Sequence, residues 1–277
     1  MRTNIPSFRL PADVLDEEIY RIIDMGAELK LNSYIDKLKP VIDEYDSVFI
    51  GTGAPKGKDL NLKGREISSE NIHIGIDWLT SIAFEHVKKI GKKVVVIGGG
   101  NTAMDCCRSA LRLGATDVKV TVRSPFSQMK ASEWEIEETM EEGIPILDNT
   151  SPKEFLFDDK GKLCGVKFEK MEQVEIDGRK KMQSTGEELT IECDDVLLAI
   201  GQENAFPWIE KDIGIEFGEW EMPVVDKLTM QSTHPKVFFG GDSAWGPENI
   251  IWAVSHGHQA AISIDNFCSG VSLKERP

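Results

Sequence analysis

The run KKVVVIGGGNTAMDCCRSALRLG, followed by DVKVTVRS, constrains this chain more than any other part of it. Residues 94–97 are consecutive β-branched apolar positions, the pattern of a strand buried on both faces. Three glycines follow, and the spacing predicts a helix over 102–113, with Gly114 at the position of a C-terminal cap. Alternating valines in DVKVTV predict a second strand. Strand, helix and strand at this length form a right-handed parallel crossover. Within it, Gly98-x-Gly100-x-x-Ala103 makes three physical demands. Gly98 permits a tight turn, Gly100 lets the backbone approach a pyrophosphate, and Ala103 lets the helix lie close to the strand. The helix N-terminus, with Gly99, Asn101 and Thr102 around it, favours an anion. The unit predicts a dinucleotide-binding site.

The second strand runs out at Arg123 and Ser124, 23 residues beyond Gly100. Sites that bind NAD place an acidic side chain here, on the ribose 2′-hydroxyl. An arginine beside a hydroxyl suits a 2′-phosphate, because guanidinium–phosphate bonding is charge-assisted and bidentate. The pair reads either as an NADP(H) selector, with NAD(H) still accommodated, or as a solvated strand end.

Elsewhere the chain alternates helical and extended patterns. DVLDEEIYRIIDMG has Leu15, Ile19, Ile22 and Ile23 at helical spacing; AELKLN predicts a short strand, and a second helical piece ends near Tyr45. SVFIGTGAP reads as a buried strand entering a glycine turn, IDWLTSIAFEHVKKIG as an amphipathic helix, and IPILDN as a third strand. Residues 153–200 carry DDKGK and IDGRK turn signals between alternating runs, an antiparallel β-meander ending in a buried strand at 196–200. VFFGGDSAWG is another strand into a glycine turn, and a closing helix is expected through Ile264. Thr52-Gly53 and Gly241-Asp242 read either as ordinary strand ends or as cofactor turns; Gly201 follows a further strand. The acidic run 133–142 reads as a solvated helix face or a docking face, and Trp245 and Trp252 as a flavin shield or core filling.

A formal net charge of −15 over 277 residues repels phosphate backbones and anionic lipid, so neither nucleic acid nor membrane is an expected partner. One phosphorylated cofactor remains compatible, since it needs only a local pocket. With 40% apolar residues, no span-length apolar run and no leader pattern at the N-terminus, the expectation is a cytoplasmic protein with a sizeable core. Cys106, Cys107, Cys164, Cys193 and Cys268 form no C-x-x-C and no metal-ligand spacing, which argues for reduced thiols and no metal site.

GGGNTAMDCCRSALRLG with VTVRS closely resembles the NADPH motif of the glutamate synthase small-subunit family. That family also includes the flavoprotein portion of dihydropyrimidine dehydrogenase and related electron-bifurcating subunits. IPSFRLPADVLDEEI, EYDSVFIGTGAPKGKDLNLKGRE and VFFGGD with IIWAVSHGHQAA are similar to its FAD-domain segments, in the same order. The resemblance implies an α/β protein in which a Rossmann-like NAD(P)H domain, 71–200, is inserted in a partial FAD domain, 1–70 and 201–277. It implies hydride transfer from NADPH to FAD and onward delivery of electrons to a partner subunit. By position, Gly98, Gly99, Gly100, Asn101, Thr102, Ala103, Arg123 and Ser124 fall on the nicotinamide dinucleotide motif. Gly201 falls on the turn between domains, and Thr52, Gly53, Gly241, Asp242, Asn249 and Ile250 on flavin-contacting segments. No side chain is required as a catalytic acid or base. The family carries a FAD-type G-x-G-x-x-G unit ahead of its FRLP segment, and this sequence holds a single such motif, the nicotinamide one. The expectation is either a piece of a longer chain or a split flavin site completed by a partner polypeptide. The alternative is a non-catalytic NADP(H)-binding subunit of a larger redox complex. A thioredoxin-reductase-like enzyme is disfavoured by the missing C-x-x-C.

Overall fold

A computed structural model describes residues 1–67, 70–176 and 178–276. Along the chain the elements are α1 (Ala12–Asp24), α2 (Lys39–Glu44), β1 (Val48–Ile50), β2 (Lys56–Gly57), β3 (Ile72–Ile74), α3 (Gly75–Ala83), β4 (Lys93–Ile97), α4 (Asn101–Arg112), β5 (Asp117–Thr121), α5 (Glu133–Glu141), β6 (Ile146–Leu147), β7 (Thr150–Phe157), β8 (Leu163–Ile176), β9 (Arg179–Glu192), β10 (Asp195–Leu198), β11 (Gln202–Glu203), β12 (Val237–Phe239), α6 (Asp242–Trp245) and α7 (Ile250–Cys268). They form two compact units: Met1–Ala27 with Gly57–Gly201, and Glu28–Lys56 with Gln202–Pro277.

The first unit is built on a parallel sheet of order β3-β10-β4-β5-β6. The period of two along β4 divides two cores. Val94 and Val96 face the helices with Met104, Cys106, Cys107 and Ala110 of α4, while Val95 and Ile97 face Phe155, Val166 and Phe168 of the antiparallel sheet β7-β8-β9. The layers are helices, parallel sheet, antiparallel sheet. The meander is thus a real three-stranded layer, but the strand expected to close it is not part of it. β10 pairs in parallel with both β3 and β4, because its Val196 and Leu198 face one core and Leu197 the other, which only a central strand allows. Part of the IDGRK turn, Asp177, lies outside the described residues.

The N-terminal segment, expected with the flavin-type flank, packs into this first unit. The Phe8 ring lies 4.9 Å from the guanidinium carbon of Arg108 and 4.0 Å from that of Arg112. Arg9 donates to both Asp105 oxygens at 2.8 and 2.9 Å and pairs with Glu135 at 2.5 Å. Arg108 continues the chain of charges to Glu135, Glu138 and Glu142. The acidic helix α5 is therefore not simply a solvated face: Glu135 and Thr139 are buried in it.

Burial pushes the Asp105 carboxyl up to about 6 despite the neighbouring Arg9. A carboxyl whose folded pKa lies above its unfolded value takes up its proton first in the folded state. Its contribution to stability is complete below the unfolded pKa near 3.8 and is lost as pH rises through about 6. Glu142, held low by Arg112, acts with the opposite sign, in a more acidic window. Denaturation midpoints measured from pH 8 to pH 5 are expected to show the Asp105 term as a gain of about 1.4 kcal/mol. Asp105→Asn is expected to flatten it, and an unchanged slope in that variant would assign the term to another group.

The second unit contains the two-stranded parallel sheet β1-β12 and a core of Leu38, Ile42, Ile50, Phe206, Val237 and Phe239. AELKLN, patterned as a strand, is not one. Among the described residues the segment 28–32 has no strand partner, and its Leu29 and Leu31 are 54% and 72% exposed. Alternation specifies which face of a strand is apolar, but a strand also needs a neighbour for its backbone groups.

Candidate functional site

In the first unit the site lies at the carboxyl end of β4. Gly98 has φ +143°, and its N–H donates to Thr121 O at 3.0 Å. A Cβ on Gly98 would stand 2.1 Å from the carbonyl oxygen of Ala199, so the turn presses against the end of β10. Gly99 accepts from the amides of Lys130 and Ala131 at 2.9 and 3.0 Å. Gly100 differs: its φ is −105°, and a Cβ there would meet nothing of the protein within 4 Å. The fold has no need of a glycine at that position, and the space above it fits a ligand's approach. Ala103 is fully buried, as close helix–strand contact requires. Helix α4 starts with no side-chain cap and no carboxylate in its first turn, which leaves its partial positive charge available to an anion. Thr102 is half-buried in that turn. Asn101 is committed elsewhere: its Oδ1 accepts from the Ser132 amide at 2.9 Å and ties α4 to the start of α5.

Arg123 and Ser124 follow β5 by two and three residues. Ser124 is half-buried and its carbonyl accepts from the Asn149 amide at 3.2 Å. Arg123 is exposed, and among the described residues its guanidinium makes no hydrogen bond or ion pair. The same holds for the Lys130 ammonium, whose backbone is anchored on Gly99. Sequence reading missed Lys130, since a single lysine in SPFSQMKAS carries no signal until the loop folds back onto the glycine turn. Gly201, with φ +117°, accepts from the Lys58 amide at 3.0 Å, two residues past the Ala199 carbonyl that confronts Gly98.

In the second unit β1 and β12 bring two turns together. The Gly240 amide donates to Ile50 O at 3.2 Å, beside the turn that holds Thr52 and Gly53. Ser243 donates to both Ile50 O and Gly240 O, at 2.9 and 2.7 Å. Gly241 has φ +61°, and a Cβ there would be 3.2 Å from that of Ala253 in α7. Asp242 accepts from the Glu248 amide at 3.1 Å, and burial raises its pKa. The Asn249 side chain is a helix cap, accepting from the Trp252 amide at 3.0 Å; Ile250 is exposed beside it. His256, also missed in the sequence, accepts from the Gly241 amide through Nδ1, with its ring 4.5 Å from Trp245 and 6.0 Å from Trp252. Asn204 donates to Ser243 O, and its buried Oδ1 has no hydrogen-bond partner among the described residues.

The buried cysteines of the first unit, Cys106, Cys107 and Cys193, are held as neutral thiols. Burial pushes the Cys107 and Cys193 thiols up to about 12, and the Cys106 thiol well above its ordinary value. Among the described residues no group of side chains has metal-binding geometry, and no helix is long and apolar enough to cross a membrane.

The first unit holds a glycine turn on a parallel sheet, the second has strand-end turns of its own, and the chain matches a known family model over residues 14–257. The chain belongs to the pyridine nucleotide-disulphide oxidoreductase family. Its members' FAD/NAD(P)-binding α/β fold is the fold seen here. The chain is 31% identical over 95% of its length to the NADPH-Fe(3+) oxidoreductase subunit beta of Geobacter sulfurreducens, of which it covers 43%. It is likewise 31% identical over 95% of its length to the glutamate synthase [NADPH] small chain of Halomonas elongata, covering 59% of it. FprA from Mycobacterium tuberculosis, solved in complex with NADPH, shares the fold at a TM-score of 0.77 and 15% identity, over 97% of this chain and 75% of that one. The chain thus spans about half the length of these two curated relatives.

Proposed function

We propose that this chain is the NADPH-oxidising, flavin-linked module of an oxidoreductase and passes electrons to a partner subunit. The observation that carries this reading is the turn over residues 98–103, where the protein itself has no use for a glycine at 100. There the backbone and the α4 N-terminus hold the pyrophosphate. Arg123 and Lys130, two cations without side-chain partners, receive the 2′-phosphate. The flavin, when bound, supplies the redox step. Gly241, Asp242 and the start of α7 hold it on this chain's side, and the orphaned Asn204 Oδ1 nearby fits a polar donor. Residues 1–277 carry one G-x-G-x-x-A, the nicotinamide one, so no second motif of that kind within them cradles the flavin pyrophosphate.

Titration with NADPH and NADH tests the assignment. A guanidinium–phosphate contact of ~1.5–3 kcal/mol corresponds to roughly ten- to a hundredfold in affinity. Arg123→Ala is expected to weaken NADPH by that factor and leave NADH nearly unchanged, and Lys130→Ala to give a smaller loss of the same selectivity. Equal losses for both nucleotides would remove the 2′-phosphate role.

The single cradle also favours a second reading, a subunit that holds NADP(H) without turnover. The two separate on the reconstituted complex. Bleaching of a flavin absorbance band by NADPH supports the module, and NADPH binding to a complex with no flavin band supports the docking subunit. The isolated chain is expected to retain FAD poorly in either case.

A further inference from the structure

Resemblance puts Asn101 among the dinucleotide contacts, yet its side chain is bonded to a loop of the protein itself. Three successive amides of that loop, those of Lys130, Ala131 and Ser132, donate to the turn that opens α4. The first two reach Gly99 O at 2.9 and 3.0 Å, and the third reaches Asn101 Oδ1 at 2.9 Å. The Ser132 hydroxyl adds a second donor to the same Oδ1 at 3.3 Å. A main-chain N–H can only donate, so it fixes which end of the Asn101 amide faces the loop.

The loop, residues 125–132, runs from the end of the strand at Ser124 to the start of α5. At its root the Phe126 amide donates to Asp148 Oδ2 at 2.9 Å, and its middle, 126–128, is exposed. The two cations proposed for the 2′-phosphate flank this span: Arg123 stands just before it, and Lys130 lies within it. Two of the three bonds that close the loop end on a main-chain carbonyl, which a side-chain substitution does not remove. The third depends on Asn101. Helix α5 beyond the loop is held independently by Arg108, which pairs with Glu135 at 3.0 Å and with Glu142 at 2.9 Å. Cutting the Asn101 contact therefore loosens the loop without undocking the helix.

We infer that Asn101 is a positioning residue. It latches the loop 125–132 onto the glycine turn and acts on dinucleotide binding through Ser132, by placing Lys130, rather than by touching the cofactor. This rests on the 2′-phosphate role of Lys130 proposed above. A loop left free must be ordered when the nucleotide binds, at the expense of affinity, whereas a latched loop is already ordered in the folded chain. NADH has no 2′-phosphate for Lys130 to meet, so the latch favours NADPH over NADH.

Two substitutions cut the same bond from opposite sides. Asn101→Ala removes the acceptor at the exposed first position of α4. Ser132→Pro removes the donor, at a φ of −64° that proline adopts without strain. In titrations each is expected to weaken NADPH roughly two- to tenfold, about the worth of one hydrogen bond, and to leave NADH nearly unchanged. The double variant is expected to bind no worse than the weaker single one, because both remove one contact. Amide hydrogen exchange on the unliganded chain gives a readout that needs no nucleotide. The amides of 130–132 are expected to exchange faster in Asn101→Ala, while that of Gly98, bonded to Thr121 O, stays as it was. Asn101→Asp keeps an acceptor for both Ser132 donors and is expected to restore the protection. Additive losses in the double variant, equal losses for the two nucleotides, or unchanged exchange in Asn101→Ala overturn the latch. If Ser132→Pro does not fold, the exchange and selectivity of Asn101→Ala decide. A loosened loop together with an NADPH preference that Lys130→Ala leaves intact would keep the latch and overturn the 2′-phosphate role of Lys130.

Discussion

Gly98→Ala is expected to unfold the first unit or cost it several kcal/mol, while Gly100→Ala leaves stability within about 1 kcal/mol of the parent and abolishes dinucleotide affinity. The two glycines stand two residues apart in one turn and carry opposite burdens. At Gly98 a methyl group meets the Ala199 carbonyl oxygen at 2.1 Å, a backbone atom that cannot move without shifting β10, and φ is +143°. At Gly100 the backbone is in an ordinary extended conformation and the methyl group meets no protein atom. It stands only in the way of a ligand's phosphates. Chemical denaturation of both variants, beside calorimetric titration with NADPH, separates fold from site. A Gly100→Ala protein that binds NADPH normally would move the pyrophosphate away from this turn.

Arg9→Ala is expected to cost about 3–5 kcal/mol at neutral pH, although Arg9 lies far from the glycine turn in sequence. Its loss leaves Asp105 and Glu135, each 3% exposed, with one fewer cation between them. Arg108 still reaches Glu135, so the charge left least compensated is that of Asp105. Because Asp105 titrates at about 6, the cost is expected to be smaller at pH 5 than at pH 8. Arg9→Met combined with Asp105→Asn removes both ends of the contact and is expected to recover part of the loss. Urea midpoints at the two pH values check both statements. A pH-independent cost would mean that Arg9 acts through packing, with Phe8, rather than through charge.

Local pattern was sufficient wherever one segment contains its own partners. The strand at 94–97, the turn at 98–100, the helix behind it and the strand ending before Arg123 are contiguous, so alternation, glycine placement and capping made the whole crossover readable. The meander was legible for the same reason, its turns being short and its strands neighbours in sequence. Family resemblance extended that reading to the turns at 52–53 and 241–242. What depends on distant partners was not readable. β10 follows the meander in the chain but pairs between β3 and β4, because hydrogen bonding and burial on both faces favour the sheet centre. Glu135 looked like one solvated acid among many until Arg9 and Arg108 arrived from elsewhere in the chain to bury it. Lys130 joined the site only when its amide found the Gly99 carbonyl. Residues 28–32 show the converse, a strand pattern without a strand. Sequence by itself determined which segments are able to form strands, turns and a phosphate cradle, since side-chain periodicity and backbone freedom are local properties. Tertiary structure alone decided which of them found neighbours, because hydrogen bonds across a sheet and the burial of charge depend on groups that sequence separation hides.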